Sequence, residues 1–467
     1  MKLALLLATF TAVSSANTLY AETLIVGPGG GFTEIQRAID VAMPGDVLLV
    51  RPGIYEGFIL DKPLQILGAG QDEVIVSNTR SFSTCTGFCA PQIVTVTIEN
   101  IPANSEVLLS GMTIRGFGAT AVLFFGFADY SAGVRNSQGR VLLHDLKIDA
   151  NVDSFSLRGM LVVENSDFVE LQDSFVTGFE SPTNFYQPLT DAVRVTDSTI
   201  WIINSRLHGG ADSSPGSNFS PGGIALQLSN SEAYLANSEL IGGTGGTVEF
   251  PPVGGSCGGG SPNRPGIGLI ASGSVIKLVG GPEALISSPN SSFSSVGFCG
   301  FNAKSGVELN SGSILLLRDD TVINGGGTFK DGVLLAQEPP VDVSAGSVSY
   351  VTSNDYPILE LRSRAVAPGG SQVFVASGEA LATGRLYAGL ERAEPFGIAG
   401  IDGASALDPS TTFFLRGFRL DAVGAKSFTL SIPNDPSLES LPVHFQWIQA
   451  NGQKAWFSNP STMIIRG

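Results

Sequence analysis

The chain has 467 residues, which is too long for one ordinary globular core but suits a solenoid followed by a second domain. Its 58 glycines and its low charged fraction of 15% favour stacked apolar strands with many turns over a helical bundle. A formal net charge of −16 argues against a nucleic-acid partner. It also argues against a polyanionic glycan, unless a divalent cation such as calcium bridges the two.

The first 21 residues predict a secretory signal peptide. Lys2 precedes the apolar run Leu3–Val13, and small residues follow it. Cleavage is expected after Ala16 or Ala21, and Ala21 is favoured because strand-like sequence begins at Thr23. The run is too short to span a membrane, and we find no later apolar run of the needed length. We therefore expect an exported mature protein, either secreted or held at the cell surface.

The next stretch, residues 32–70, predicts a short amphipathic helix and then a series of short strands. Thr33 and Gln36 have the spacing of a capping box, in which the two side chains bond to each other's backbone N–H groups. The i, i+3, i+4, i+7 spacing of a buried helical face is followed by Ile35, Ala38, Ile39 and Ala42. Pro44 ends the helix. Strand-length apolar runs follow at Val47–Val50, Phe58–Leu60, Leu64–Leu67 and Val74–Val76.

Three short motifs in this stretch carry a family resemblance: Pro44-Gly45-Asp46, Pro52-Gly53-Ile54-Tyr55 and Leu67-Gly68. Together with the helix they resemble the N-terminal entry of right-handed parallel β-helix proteins of the pectate-lyase-like superfamily. The resemblance implies an all-β, right-handed parallel β-helix over residues 22–350, with the helix covering its open end. It also implies polysaccharide lyases, hydrolases or epimerases, but the catalytic motifs of pectate lyases, polygalacturonases and alginate epimerases cannot be assembled here.

A loose repeat runs from about Val94 to Asp342 and supports the solenoid. Its clearest copies are Leu161–Phe179, Val193–Gly210 and Leu226–Gly243, with more distant ones near Leu269 and Val307. Insertions follow the Gly-Gly end of successive copies, at Ala211–Pro221, Thr244–Pro265 and Pro282–Lys304. Loops stacked on one side of a solenoid usually form its binding face.

Aligned columns of the repeat predict which residues face the core and which form turns. Ile200 and Ile202 match Ala233 and Leu235, so all four are expected inside by the two-residue period of a strand. Asn, Asp and Ser recur at the turns, where stacked copies predict a hydrogen-bonded ladder. Asp319-Asp320 falls in the Asn-Ser column, so we interpret it as part of this ladder and not as the paired carboxylates of a glycoside hydrolase.

Two aromatic residues and three polar ones are the candidate site residues. Trp201 and Tyr234 hold equivalent outward positions, where they either stack on a sugar ring or are covered by the loops. Their column continues as Lys277 and Leu316, so it forms no sustained aromatic strip. For catalysis, the hypothesis is a Brønsted acid/base role for His208 with Asp191 and Arg194. The alternative is that His208 is only a repeat-position residue, because it aligns with Ile241 and Ile323.

The four cysteines of an exported protein favour disulfides over a metal site. Of the three ways to pair them, we favour Cys85 with Cys89 and Cys257 with Cys299. No histidine has a ligand spacing to a cysteine, so a zinc site is not expected. No other cofactor is expected, with calcium left open.

Residues 356–467 differ in character from the repeat and predict a small antiparallel β-sandwich, with short apolar runs between Gly, Pro, Asp and Asn turns. The segment 432–459 resembles C-terminal all-β modules of exported bacterial proteins, which implies attachment or display. For the whole chain we expect extracellular interaction, most of all with carbohydrate through the loops. The alternatives are a polysaccharide lyase or glycoside hydrolase with a non-standard site, and a structural or adhesive surface protein.

Overall fold

The computed structural model describes residues 21–78, 80–82, 92–116, 130–150, 159–178, 190–211, 222–244, 265–279, 284–289, 291–293, 303–318, 321–330, 333–351, 357–362 and 365–466. Residues 1–20 of the predicted signal peptide and the pair Asp319-Asp320 lie outside these ranges, so both interpretations stay predictions. No helix within them is long and apolar enough to cross a membrane.

The first part of the chain consists of short strands and one helix. In chain order these are β1 (Thr23–Val26), α1 (Ile35–Val41), β2 (Val47–Val50), β3 (Gly53–Glu56), β4 (Phe58–Leu60), β5 (Gln65–Gly68), β6 (Val74–Asn78), β7 (Arg80–Phe82), β8 (Gln92–Glu99), β9 (Glu106–Gly116), β10 (Tyr130–Arg135), β11 (Arg140–Ala150), β12 (Leu161–Glu164), β13 (Phe168–Gln172), β14 (Phe175–Thr177), β15 (Val193–Thr196), β16 (Thr199–Ile203), β17 (Arg206–His208), β18 (Leu226–Ser229), β19 (Glu232–Ala236), β20 (Glu239–Ile241), β21 (Leu269–Ser272), β22 (Val275–Val279), β23 (Leu285–Ser287), β24 (Ser291–Phe293), β25 (Val307–Asn310), β26 (Ser313–Arg318), β27 (Val322–Asn324), β28 (Gly327–Lys330), β29 (Val333–Gln337), β30 (Val341–Val343) and β31 (Gly346–Val351).

Consecutive strands build one coil, and each coil stacks on the next in parallel. β15 lies in a ten-stranded sheet, β16 and β17 lie in an eighteen-stranded sheet, and β18 returns to the ten-stranded sheet beside β15. The pairing follows the sequence alignment, so Ile200 lies beside Ala233 and His208 beside Ile241. The fold is therefore a parallel β-helix, as predicted. Its right-handed sense of winding stays a prediction.

The interior of the β-helix is a continuous apolar column. Ile200, Ile202 and Ala233 are fully buried and Leu235 is nearly so, which confirms the inward positions derived from the repeat. Each coil adds its own inward residues to the same cluster. Because every coil buries its apolar face only against its neighbours, no single coil is stable alone.

Serines at the two short turns of each coil tie neighbouring coils together. At the first turn, the N–H groups of Ser166, Ser198 and Ser231 each donate to the hydroxyl one coil further on, at 3.0, 3.3 and 3.1 Å. At the second turn, Ser174 and Ser205 do the same at 3.1 and 3.2 Å. The residue before each of these serines is Asn or Asp with a φ between 48° and 51°, a left-handed conformation that these two residues tolerate. The predicted turn ladder is confirmed at these turns.

Helix α1 packs its buried residues Ile35, Ala38 and Ile39 against the first coils. The capping-box prediction is wrong, because the N-cap residue is Glu34 and no side chain caps the helix. The Gln36 amide instead accepts from Ile59 N at 2.8 Å and donates to Ile59 O at 3.3 Å. A contact with the neighbouring coil has therefore replaced the local one.

The second part of the chain begins with the first antiparallel pairing after Val351. Its elements are β32 (Ile358–Leu361), β33 (Ala365–Val366), β34 (Ser371–Ser377), β35 (Thr383–Gly389), β36 (Arg392–Ile398), β37 (Ile401–Leu407), β38 (Phe413–Arg419), β39 (Ala425–Ser431), a short 3₁₀ helix (Pro436–Leu438), β40 (Pro442–Ala450), β41 (Ala455–Phe457) and β42 (Ser461–Ile465).

Two sheets of this C-terminal domain share one apolar core. One contains β32, β34 and β39, and the other is built around β35, β40 and β42. Phe374 of the first sheet meets Phe445 of the second edge to face at 4.9 Å. Trp447 is fully buried in the same core and donates its indole N–H to Ile358 O at 3.0 Å.

The C-terminal domain docks on the outer face of the eighteen-stranded sheet through buried polar contacts. Glu170 on β13 receives two hydrogen bonds from the guanidinium of Arg392, at 3.1 and 2.5 Å, and a third contact from His144 at 3.0 Å. Beside it, Gln172 accepts from Thr462 N at 3.0 Å and donates to Thr462 O at 3.3 Å. Glu170 and Arg392 are almost completely excluded from water. Because this charged pair is buried, removing either partner would leave the other as an uncompensated charge without access to water.

Electrostatics at the interface hold Glu170 ionised and a neighbouring histidine neutral. Burial alone would raise the pKa of Glu170, but the positive charge of Arg392 and the contact with His144 outweigh it and lower this pKa to about 2. Burial lowers the pKa of His444 well below its ordinary value, and the nearby Arg392 adds to the effect. At neutral pH, Glu170 is therefore negatively charged and His444 is uncharged.

Replacing Glu170 with Gln is expected to reduce the free energy of unfolding by about 3–5 kcal/mol, because Arg392 would stay buried without a counter-charge. Urea unfolding at pH 7 measures this loss. The matched control is Glu232→Gln, which breaks the exposed pair between Lys277 and Glu232 and should cost less than about 1 kcal/mol. Equal losses in the two variants would contradict the docking role of Glu170.

The loss of stability in Glu170→Gln is also expected to depend on pH. A carboxyl group whose pKa is lowered on folding stabilises the protein fully above its ordinary pKa of 4.5, and this contribution is lost as the pH falls toward 2. The stability difference between wild type and Glu170→Gln should therefore narrow over that range. If the difference in stability between the two proteins stayed constant from pH 6 to pH 2, the charge of the Glu170 carboxylate would not be the cause of that difference.

Candidate functional site

One line of side chains runs along the outside of the ten-stranded sheet, across successive coils. We call it the outer row, and in pairing order it contains Val162, Arg194, Gln227, Ile270, Glu308 and Asp342. These positions point outward because the residues on either side of them, such as Val193 and Val195, are buried in the core. The row begins with the apolar Val162, and its other members are polar or charged except for Ile270.

Asp191 and Arg194 form a partly buried ion pair at this row. Arg194 Nη2 donates to Asp191 Oδ2 at 2.7 Å, and Asp191 Oδ1 accepts from Ile224 N of the next coil at 3.0 Å. Burial raises the pKa of Asp191, while the bonds to Arg194 and Ile224 partly oppose that rise. Both carboxylate oxygens therefore accept a hydrogen bond, and the pair connects two neighbouring coils.

His208 lies elsewhere in the coil, at the end of β17. Its ring packs edge-on against Phe175 at 5.1 Å, and its Nε2 is 3.4 Å from Glu239 Oε1. Among the described residues no hydrogen bond or ion pair joins His208 to Asp191 or Arg194. Its pairing with Ile241 is that of a repeat position. The structure thus joins two of the three candidate acid/base residues and leaves the third apart.

Two unused hydrogen-bonding atoms lie in the outer row. Arg194 Nε and Gln227 Oε1 are buried and have no hydrogen-bond partner among the described residues, a property that several atoms elsewhere share, His208 Nε2 included. The two residues are directly paired in neighbouring strands, so the side chain with a spare donor and the side chain with a spare acceptor are neighbours in the row. Buried polar atoms without partners are uncommon in native proteins, and a bound ligand is one reason for them. Sequence reasoning missed Gln227, although its alignment with Arg194 was a usable signal.

Glycines fix the place where the inserted loops leave the solenoid. The N–H groups of Gly210, Gly223, Gly243 and Gly266 donate in turn to Thr190, Gly210, Gly223 and Gly243, at 2.7–2.9 Å. We call these four glycines the glycine seam. A Cβ atom on Gly243 would lie only 1.8 Å from Gly210 O, so no larger residue fits. Gly223 and Gly266 of the seam come shortly before strands β18 and β21 of the ten-stranded sheet in the sequence. The loop exits therefore lie beside the outer row. Most of each insertion lies outside the described residues.

The aromatic candidates lie on the other sheet, beside the C-terminal domain. Trp201 and Tyr234 are neighbours in register, with ring centroids 4.9 Å apart, and their column continues as Lys277 and Leu316 as predicted. Both rings pack against an apolar cluster that includes Ile358 of the C-terminal domain. Half-buried in this packing, they need no sugar to cover them, so sugar contact here stays a prediction.

The remaining expectations concern cysteines and metals. Cys85, Cys89, Cys257 and Cys299 all lie outside the described residues, so their pairing stays a prediction. Within the part of the chain that the structure describes, no group of three or more His, Cys, Asp or Glu side chains is placed to hold a metal ion. Whether calcium contributes to ligand binding is tested in the experiments below.

No protein-family model and no curated protein matches the chain. Several solved structures are distantly similar. The enzymatically active domain of bacteriophage CBA120 tailspike protein 2 has a TM-score of 0.30 and 11% identity, over 96% of this chain and 77% of that chain. The A-module of the Azotobacter vinelandii mannuronan C-5 epimerase AlgE6 has a TM-score of 0.25 and 12% identity, over 68% and 94%. The sporulation control protein Spo0M of Bacillus subtilis has a TM-score of 0.15 and 12% identity, and the match covers 24% of this chain and about half of Spo0M, 49%. Likenesses this weak carry no argument, and the β-helix rests on the strand pairings above.

Gly243→Ala is expected to destabilise the solenoid severely, by about 3 kcal/mol or more, because the added Cβ collides with rigid backbone in the seam. Urea unfolding of the purified variant, or its loss to aggregation, measures the effect. The matched control is Gly31→Ala, where the added Cβ meets nothing within 4 Å. Similar unfolding midpoints for the two variants would show that the seam tolerates a side chain.

Proposed function

We propose that this protein is exported and acts outside the cell or at its surface, where it binds a polysaccharide along the outer row beside the loop exits. The observation that carries the proposal is the register of Arg194 with Gln227 in that row: both side chains are part-exposed, and each has one polar atom, Nε and Oε1, without a partner among the described residues. A guanidinium and an amide offer several donors and an acceptor within one small area. Vicinal hydroxyl groups of a sugar, or a sugar carboxylate, complement such a set.

A polymer suits the geometry better than a small isolated molecule. Neighbouring strands in a sheet are about 4.8 Å apart, so the row repeats its side chains at short, regular intervals along the solenoid axis. The side chains of Arg194 and Gln227 are only part-exposed, which favours an extended ligand that lies along the row. The loop exits at the glycine seam adjoin this line, and in this proposal the loops supply further contacts.

Binding is favoured over acid/base catalysis for a chemical reason. A general base needs a free lone pair aimed at the proton it removes. Asp191 is tied to Arg194 and to Ile224 N, and no hydrogen bond or ion pair among the described residues joins it to His208, which lies beside Phe175 and Glu239. The described residues therefore offer a recognition surface, and a lyase or hydrolase would have to draw its catalytic groups from the loops.

The test is a panel of polysaccharides of neutral and acidic composition, presented to the full-length protein with and without calcium. We expect saturable binding without release of reducing or unsaturated sugars. Arg194→Ala should weaken that binding by about tenfold or more, because a hydrogen bond to a charged group contributes about 1.5–3 kcal/mol. Gln227→Leu keeps the side-chain volume and should weaken it by a smaller factor.

Controls separate loss of binding from loss of fold. Lys277→Ala removes an exposed cation from the other sheet and should leave affinity unchanged. Thermal unfolding of each variant shows whether breaking the ion pair with Asp191 has disturbed the coil. Turnover of a glycan would favour the enzyme alternative. No binding to any glycan, with surface retention lost when residues 356–467 are deleted, would favour a structural protein.

A further inference from the structure

The C-terminal domain carries a groove that the solenoid site does not involve. It has a volume of about 320 Å³ and lies between the β36–β37 hairpin and the strands β35, β38 and β40. Four aromatic side chains line it: Tyr387, Phe396, Phe414 and Phe457. Its volume lies within the range of about 300–1,000 Å³ that is common for small-ligand sites.

The aromatic wall of this groove is exposed to water. Phe414 is 55% exposed and Ile398 is 40% exposed, and both line the same opening. The rings of Tyr387 and Phe414 meet at 5.8 Å with an angle of 68°, so the two rings form a corner. Singly exposed apolar residues need no explanation, but several that share one concave surface indicate an interaction site.

The polar groups of the groove are few, uncharged and held in place. Gln446 at its base uses its whole amide: it accepts from Ala406 N at 3.0 Å and donates to Ala404 O at 2.9 Å and Ser458 O at 2.7 Å. The hydroxyls of Tyr387 and Ser405 also line the groove, and the structure gives neither a hydrogen bond within its described residues. None of the side chains that line the groove is charged. A neutral ligand with both apolar and hydroxyl-bearing surface fits this lining.

We infer that this groove is a saccharide-binding site that accepts a ring of a neutral oligosaccharide. In this assignment the C–H face of the sugar lies on the Phe414 and Tyr387 rings. The hydroxyl edge bonds to Tyr387 and Ser405 and otherwise stays in water. A purely apolar ligand such as an acyl chain suits the groove less well, because one side of it would remain in solvent.

The groove is also fixed relative to the solenoid. Gln446 at its base and His444 at the docking surface lie two residues apart on β40, so they share one face of the strand. Arg392, which bonds to Glu170, opens β36, and Phe396 and Ile398 of the same strand line the groove. A saccharide held here would therefore be held at a constant position relative to the β-helix.

The inference is tested on the full-length protein in the Arg194→Ala background, so that binding at the outer row is weakened. The probes are cellohexaose and maltohexaose, followed by saturation-transfer NMR and calorimetric titration. We expect saturable binding of at least one of them. Adding Phe414→Ala should weaken it by about fivefold to tenfold, the effect of losing one ring contact. Tyr387→Phe, which removes only the hydroxyl, should weaken it by a smaller factor.

The matched control is Tyr350→Ala, an aromatic side chain on β31 that is 73% exposed and lies outside the groove. It should leave binding unchanged. Absence of saturable binding to both probes, or equal affinity with and without Phe414, would overturn the assignment. Binding of decanoate in place of the oligosaccharides, lost in Phe414→Ala, would also overturn it in favour of an apolar ligand. Because Arg194→Ala weakens the solenoid site in every variant compared and Phe414 lies outside that site, failure here is distinguishable from failure of the function proposed above.

Discussion

The core and the outer surfaces of the solenoid depend on the parallel register in which one coil hydrogen-bonds to the next. Side chains alternate between the two faces of a strand, so a slip by one residue would turn the core outward. The register that stacks Ile200 on Ala233 inside the solenoid belongs to the same set of pairings that brings Arg194 beside Gln227 outside it. The serine ladders enforce it, because a slipped coil would leave their N–H and hydroxyl groups without partners.

Domain docking then decides which part of the solenoid surface is free. Glu170 and Gln172 point outward from the eighteen-stranded sheet and would be natural ligand contacts in an isolated β-helix. Arg392 and Thr462 occupy them instead. A buried ion pair is weak evidence for stability in itself, since removal from water offsets much of the attraction. In the observed placement of the C-terminal domain, both buried charges are paired. The outer row remains on the ten-stranded sheet, beside the loop exits.

Sequence reasoning succeeded where the structure is periodic and failed where a distant residue intervened. Aligned copies predicted the inward residues, the turn ladder and the pairing of His208 with Ile241. The capping box failed because Gln36 bonds to Ile59, 23 residues away, which no local pattern reveals. β3 (Gly53–Glu56) was missed because Pro52 and Gly53 mark a turn, yet its strand is completed by pairing with β6. The ion pair of Asp191 with Arg194 was within reach of sequence, since the two residues are only three positions apart.

The sequence by itself determined the coil, its core and its turns, because these follow from side-chain size and backbone preference repeated at a regular spacing. Only the tertiary structure decided the use of the outer surfaces. Glu170 and Arg392 are 222 residues apart and belong to different domains, so no spacing links them before the chain has folded. Likewise, an aromatic pair such as Trp201 and Tyr234 has the same sequence signature whether it meets a sugar or a neighbouring domain. The free energy of such contacts depends on what lies opposite them, and that partner exists only in the folded protein.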